Sequence, residues 1–256
     1  MRPTFPFKRL LMTTLLVLGL ASGAQAQRTG DLSTEIGNPI GATQGQAVLN
    51  TLNRDVLFDR QGDNALDRPS APKTETPDPT QSGDLGAGFI PGPSVFPQKL
   101  ASTLTGTTVQ QKQQAKTLFD QMLQLYDEQV ASQDARLKNN VAGAMVYSTY
   151  VSYYILTGIE LTEPQQEGLF NSLTRTLLSA PEFTLMDDAT RQEMYEALVI
   201  TASFALGAYS NGAEDFSQAY LAETMADGLM QTIYQHSADA LEFTDQGVQV
   251  RSGSFM

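Results

Sequence analysis

The 256-residue sequence contains no cysteine and no tryptophan, and a single histidine, His236. Without cysteine there is no disulfide, no thiolate zinc site, no cysteine nucleophile and no lipidated amino-terminal cysteine, and one histidine excludes any multi-histidine metal centre. Basic residues are also scarce, with 16 Lys plus Arg against 28 Asp plus Glu. Three of those cations, Arg2, Lys8 and Arg9, sit in a segment expected to be removed, which leaves 13 against 28, or −15, on the mature chain. Such a surface repels phosphate, so no nucleic-acid partner is expected, nor charge-driven adhesion to anionic lipid. Proline is nearly absent from the second half: ten of the twelve precede residue 98, and only Pro164 and Pro181 follow. One compact carboxy-terminal domain is the architecture this predicts.

Residues 1–26 read as a secretory signal, with a basic start, an apolar run over residues 10–20 and the small-residue site Ala24-Gln25-Ala26. The apolar run is too short to span a bilayer. Cleavage is expected after Ala26, giving a periplasmic or secreted protein with no stable membrane span. Residues 27–98, rich in Gly, Pro, Thr, Gln and Asp, read as a disordered tether. Within it Leu49, Leu52 and Val56 recur at helical spacing, so a short amphipathic helix is expected near residues 46–60, either idle or docked in a groove.

Past residue 98 the apolar period becomes 3.6, and an all-α bundle of about five helices is predicted over residues 99–250, with residues 251–256 as a tail. The first helix covers about 108–132, with Leu118, Met122, Leu125 and Gln129 on one face and Phe119 and Tyr126 beside them. The second opens at Asn139 or Asn140 and stops at Gly158. The third opens with Thr162-Glu163-Pro164, the fourth near Asp187 and Asp188 with a stop at Asn211-Gly212, and the fifth covers about 213–237. Residues 139–159 and 197–213 carry no charge except at position 160 and beyond, and their small residues suit two central helices in close contact. The same pair also admits a membrane-inserting reading, which the polar load of Asn139, Asn140, Ser148, Thr149, Ser152 and four tyrosines opposes. Residues 241–250, around Gly247, read as one short strand or none.

Chemistry is hard to find. His236 precedes Asp239 near the end of the last helix, where a histidine satisfies free carbonyls without any catalytic role. The acidic pairs Asp127-Glu128, Asp187-Asp188 and Glu214-Asp215, and the helical pairs Glu193/Glu196 and Glu223/Asp227, form no calcium loop or di-iron motif and read as solvated faces. Ser210-Asn211-Gly212 lacks the companions of a serine hydrolase motif, and no phosphate-binding glycine loop is present. No catalytic residue, metal or cofactor is therefore predicted. Tyr147, Tyr150 and Tyr154 share one side of the second helix, as a core edge or an interaction surface.

Residues 138–144 (Lys-Asn-Asn-Val-Ala-Gly-Ala), Pro181-Glu182-Phe183, residues 191–196 (Arg-Gln-Glu-Met-Tyr-Glu) and Gln246-Gly247-Val248 give the chain a resemblance to a family of exported bacterial all-helical proteins known only as a domain of unknown function. The resemblance covers about residues 99–250 and implies a fold and an export route, with no active site. Together these features predict a protein-interaction or scaffold module of the bacterial envelope, its partner an unidentified protein or envelope component. The contact residues expected are Leu49, Leu52, Val56, Tyr147, Tyr150 and Tyr154. The alternatives are a cell-wall-directed hydrolase working through carboxylates of the bundle and a membrane-active protein.

Overall fold

The computed structural model describes residues 86–212 and 215–251. The expected signal, the tether up to residue 85 and the island at 46–60, with Leu49, Leu52 and Val56, lie outside the described residues. Within them the chain forms α1 (Phe96–Thr103), α2 (Val109–Tyr126), α3 (Val141–Thr157), α4 (Glu163–Ser179), α5 (Pro181–Thr184), α6 (Asp188–Asn211) and α7 (Phe216–Tyr234). A two-stranded antiparallel hairpin follows, β1 (Leu241–Thr244) and β2 (Gly247–Val250). The fold is all-α in class, and the five long helices correspond to the five expected from sequence.

The helix boundaries follow from local chemistry. Thr108 and Gln111 form a reciprocal capping box at the start of α2. Asn140 is the cap of α3, its Oδ1 accepting from the amides of Ala142 and Gly143, while Asn139 adopts a left-handed φ of 51°. Gly158 ends α3 at φ 70°, a conformation that costs glycine nothing. Asp187 caps α6 by accepting from Thr190 N at 2.8 Å.

At the centre α3, α6 and α7 pack against one another in the three most extensive helix contacts. Nearly all of α3 is buried, as is α6 from Met194 to Leu206 apart from Phe204. Both uncharged segments are thus interior walls. The hydroxyls they bury find partners across the helix pairs: Ser148 Oγ donates to Leu198 O, Tyr147 shares a hydrogen bond with Ser203, and Thr149 shares one with Tyr234. Satisfied in this way, these groups fix the relative rotation of the helices as well as filling space.

Three sequence expectations are corrected. The buried face of α2 is Ala115, Phe119, Met122 and Tyr126, with Leu118 and Leu125 only partly covered, because the two largest rings take the interior. The expected first helix also changes winding, since residues Asp127–Ala131 form a π-helical turn that brings Val130 and Ala131 inward. The tail makes two strands instead of one or none. Leu241 and Phe243 face inward, and Phe243 meets Tyr153 and Tyr234 edge to face. Hairpin formation depends on Gly168: a Cβ there would overlap the carbonyl of Asp245 in the turn.

The described fold begins at Gly86, inside the stretch read as tether. Ala87, Phe89 and Phe96 are buried, and Pro97 stands in the first turn of α1, where a missing N–H is harmless.

Gly168→Ala is expected to destabilise the domain by about 2–3 kcal/mol through overpacking against backbone, measured as a lower urea midpoint at unchanged m-value. Gln235, which ends α7 at φ 58° without being glycine, is expected to show the opposite effect: Gln235→Gly should raise stability by about 0.5–1 kcal/mol in the same assay.

Candidate functional site

The densest set of long-range polar contacts lies where the first turns of α6 meet residues 86–96, a strap laid across the bundle. An extended segment has no internal hydrogen bonds, so its buried amides and carbonyls need partners from elsewhere. The polar run at the start of α6 supplies most of them. Arg191 Nη1 donates to the carbonyls of Gly86 at 3.2 Å and Gly88 at 3.0 Å, and Nη2 donates to Phe183 O at 3.3 Å. The same guanidinium lies 4.7 Å from the centre of the Phe183 ring, which stiffens it. One turn of the main chain is read from both sides by Gln192: Gly92 N donates to Oε1 at 2.7 Å, and Nε2 donates back to Gly92 O at 3.1 Å.

Glu196 is 3% exposed. Its carboxylate accepts from Gln192 Nε2 at 2.7 Å and from Phe96 N at 3.2 Å, so the charge is held by two donors at the first turn of α1. Glu193, beside it, pairs with Lys99 of α1. Tyr195 stands against Phe89 of the strap at 5.3 Å between ring centres and donates its hydroxyl to Asp127 Oδ1 on the π-helical turn. On the far side of the strap, Phe89 N donates to Asn139 O and Val141 N donates to Ala87 O, a short antiparallel bridge that ends at the cap of α3.

The strap therefore lies in a slot floored by α6 and walled by residues 139–141. Its rim is apolar. Ile90 is 68% exposed and Val95 53% on the strap itself, Leu185 is 85% exposed just beyond Thr184, and Leu178 is 37% exposed with its Cδ2 pressed close to Gly86. Leu178 also closes one end of a surface groove of about 400 Å³ between α4 and the hairpin turn, whose polar walls are Asn171, Thr174, Arg175, Asp245 and Gln246.

The structure puts two of the expected contact tyrosines inside. Tyr147 and Tyr150 are each 2% exposed, Tyr147 stacked edge to face on Tyr126, and of the three only Tyr154 reaches the surface, beside Tyr209. As a contact surface Tyr147 and Tyr150 are thus corrected to core: with charge absent from α3 and helices on several sides of it, both rings are covered. Burial pushes the Tyr147 hydroxyl up to about 12 and raises Tyr126, Tyr150, Tyr195 and Tyr234 well above the usual phenol value. The neighbouring carboxylate of Asp127 adds to the shift of Tyr195.

The acids do not converge. Asp187 and Asp215 cap helices, Asp134 and Glu167 hold Arg136 from two sides, Glu223 and Asp227 face solvent, and Asp127 is shared between Tyr195 and Lys138. Among the described residues no group of three Asp, Glu or His side chains is placed to hold a metal ion. His236 lies two residues past the end of α7, and Asp239 accepts from the Ser237 hydroxyl, which holds its carboxyl below the usual range. The strap contacts of residues 191–196 went unread in sequence; a dense polar run leading into a charge-free helix was the available signal, and it carries no information about what the run binds.

A family model described as a family of unknown function (DUF6683) matches residues 6–251 of the chain. None of the curated proteins matches it, and none of the solved structures does.

Arg191→Ala is expected to cost about 2 kcal/mol, since it strands buried carbonyls, and to speed proteolysis within residues 86–95 more than elsewhere, read by limited digestion and mass spectrometry. Alkaline pH is expected to unfold the domain. Each buried tyrosine is neutral in the fold with a raised pKa, so its contribution is intact below the ordinary phenol value near 10 and is lost as pH rises from there through 12 and above. Tyrosinate absorbance at 295 nm should rise for the buried rings together with loss of helical circular dichroism.

Proposed function

The chain belongs to the DUF6683 family of unknown function, and from that premise we propose that it is an exported helical module that binds a protein or scaffolds an assembly of the bacterial envelope. The observation that carries this reading is the apolar rim of Ile90, Val95, Leu178 and Leu185 around the strap, on a surface otherwise dominated by acid. Large exposed side chains gathered at one place on a charged domain favour a contact with another protein. The polar groups beneath them, Arg191, Gln192 and Glu196, are engaged with the main chain and hold the rim in one shape.

Export rests on residues 1–26, with Gln27 as the first residue of the mature chain. Among the described residues no helix is long and apolar enough to cross a membrane. The island at residues 46–60 is a second candidate contact, presenting Leu49, Leu52 and Val56.

Fractionation of producing cells, with sequencing of the mature amino terminus, tests the address: recovery outside the cytoplasm beginning at Gln27 is expected, and an intact Met1 on cytoplasmic protein defeats it. Affinity capture with the full chain tests the binding role against two variants, deletion of residues 46–60 and Ile90→Asp/Val95→Asp. A partner lost with either variant while the melting temperature holds supports the role, and a partner set unchanged by both removes these surfaces from it.

A further inference from the structure

The slot beneath the strap has the properties of a peptide acceptor. Of residues 86–89, it takes only two side chains inward, Ala87 at 0% and Phe89 at 9% exposed. All its polar contacts with these four residues are to main chain: Arg191 to the carbonyls of Gly86 and Gly88, Asn139 O to Phe89 N, and Val141 N to Ala87 O. Adding an extended segment to a neighbouring backbone edge in this way is a recurring mode of peptide recognition. None of these contacts depends on the short covalent path from Phe89 to α1.

That path is itself distinctive. Residues 90–95 are all exposed, and they include Pro91 and Pro93. Gln192 pins Gly92 and Glu196 pins Phe96, so the hinge between the docked residues and the bundle is reduced to Ile90-Pro91. A short stiff hinge disfavours folding back on the same chain and makes exchange between chains cheap, because every contact is recovered in the partner. Gly86 enters the slot from the surface, so nothing must be threaded. Two copies exchanging residues 86–89 would also bring their apolar rims together. Leu178 and Leu185 flank the slot, and Ile90 and Val95 flank the hinge.

We propose that the partner of this face is a second copy of the chain, joined by reciprocal exchange of residues 86–89 between the two slots. The proposal deepens the binding-module reading and rests on it. It gives an isologous dimer in which each protomer completes the other's slot, with Ile90, Val95, Leu178 and Leu185 covered between them.

The cysteine-free sequence permits a direct test. Gly88 and Asn140 form an antiparallel bridge flanked by the hydrogen bonds Phe89 N to Asn139 O and Val141 N to Ala87 O. This is the close, non-hydrogen-bonded kind of pair, with Cα atoms about 4.5 Å apart, which suits a disulfide. Full-length single variants Gly88→Cys and Asn140→Cys are mixed, unfolded and refolded together, oxidised, and resolved without reductant. A linked species of twice the chain mass, mapped to the 88–140 pair, is expected. Adding Phe89→Ala to the Gly88→Cys chain should lower its yield at least about tenfold, because burial of a phenyl ring is worth more than one decade of affinity.

The double variant Gly88→Cys/Asn140→Cys in one chain is the control for geometry. Closure within each double-variant chain, with no 88–140 link between the mixed single variants, overturns the proposal. Because losing the Asn140 cap weakens α3, sedimentation of the unlabelled wild type is the second measurement. A dimer at micromolar to millimolar chain concentration that Ile90→Asp/Val95→Asp reduces to monomer supports exchange, and a wild type that stays monomeric throughout overturns it. Capture of a different partner lost with the same variants would still uphold the binding role, so the two readings fall separately.

Discussion

A buried backbone segment without secondary structure must have its amides and carbonyls answered by side chains, and that constraint organises one whole side of this protein. Residues 86–96 are covered, yet they form no helix before Phe96 and only a single bridge to Asn140. Arg191, Gln192 and Glu196 answer them from consecutive turns of α6. The burial of Glu196 is tolerable because two donors face it, and Gln192 is oriented because it is bonded at both ends. Remove the strap and these three side chains would be left as unpaired polar groups on the flank of the central helix. Strap and α6 therefore stand or fall together.

The uncharged stretches of α3 and α6 were legible because charge is the one property a core helix cannot carry without a partner. Asn140, Gly158, Thr162, Asp187 and Gly212 were legible as boundaries because caps and stops are local chemistry. The buried face of α2 was misjudged where Phe119 and Tyr126 competed with Leu118 and Leu125, a choice decided by the neighbouring rings Tyr147 and Tyr195. The π-helical turn at Asp127–Ala131 has no local sequence rule. It places Asp127 under the hydroxyl of Tyr195, sixty-eight positions away in the chain.

The candidate site was less legible still. Prolines 91, 93 and 97 gave the composition of a tether, and composition is what disorder is read from. What overrides it is Phe89 and Phe96, two aromatic plugs within a proline-rich stretch, each buried against helices whose positions depend on the whole fold. The rim residues Leu178 and Leu185 looked like the ends of apolar stripes on a helix and its loop. Their meaning comes from the strap that ends beside them, a relation no single segment contains.

The hairpin at the carboxy-terminal side has a consequence in time. Phe243 of β1 shields Tyr153 of α3 and Tyr234 of α7, and the turn at Asp245 rests on Gly168 of α4. A polypeptide leaving the ribosome amino end first has made all seven helices before residues 241–250 exist to cover that seam. The bundle is consequently unsealed throughout synthesis, and closure waits on a segment of ten residues that arrives last.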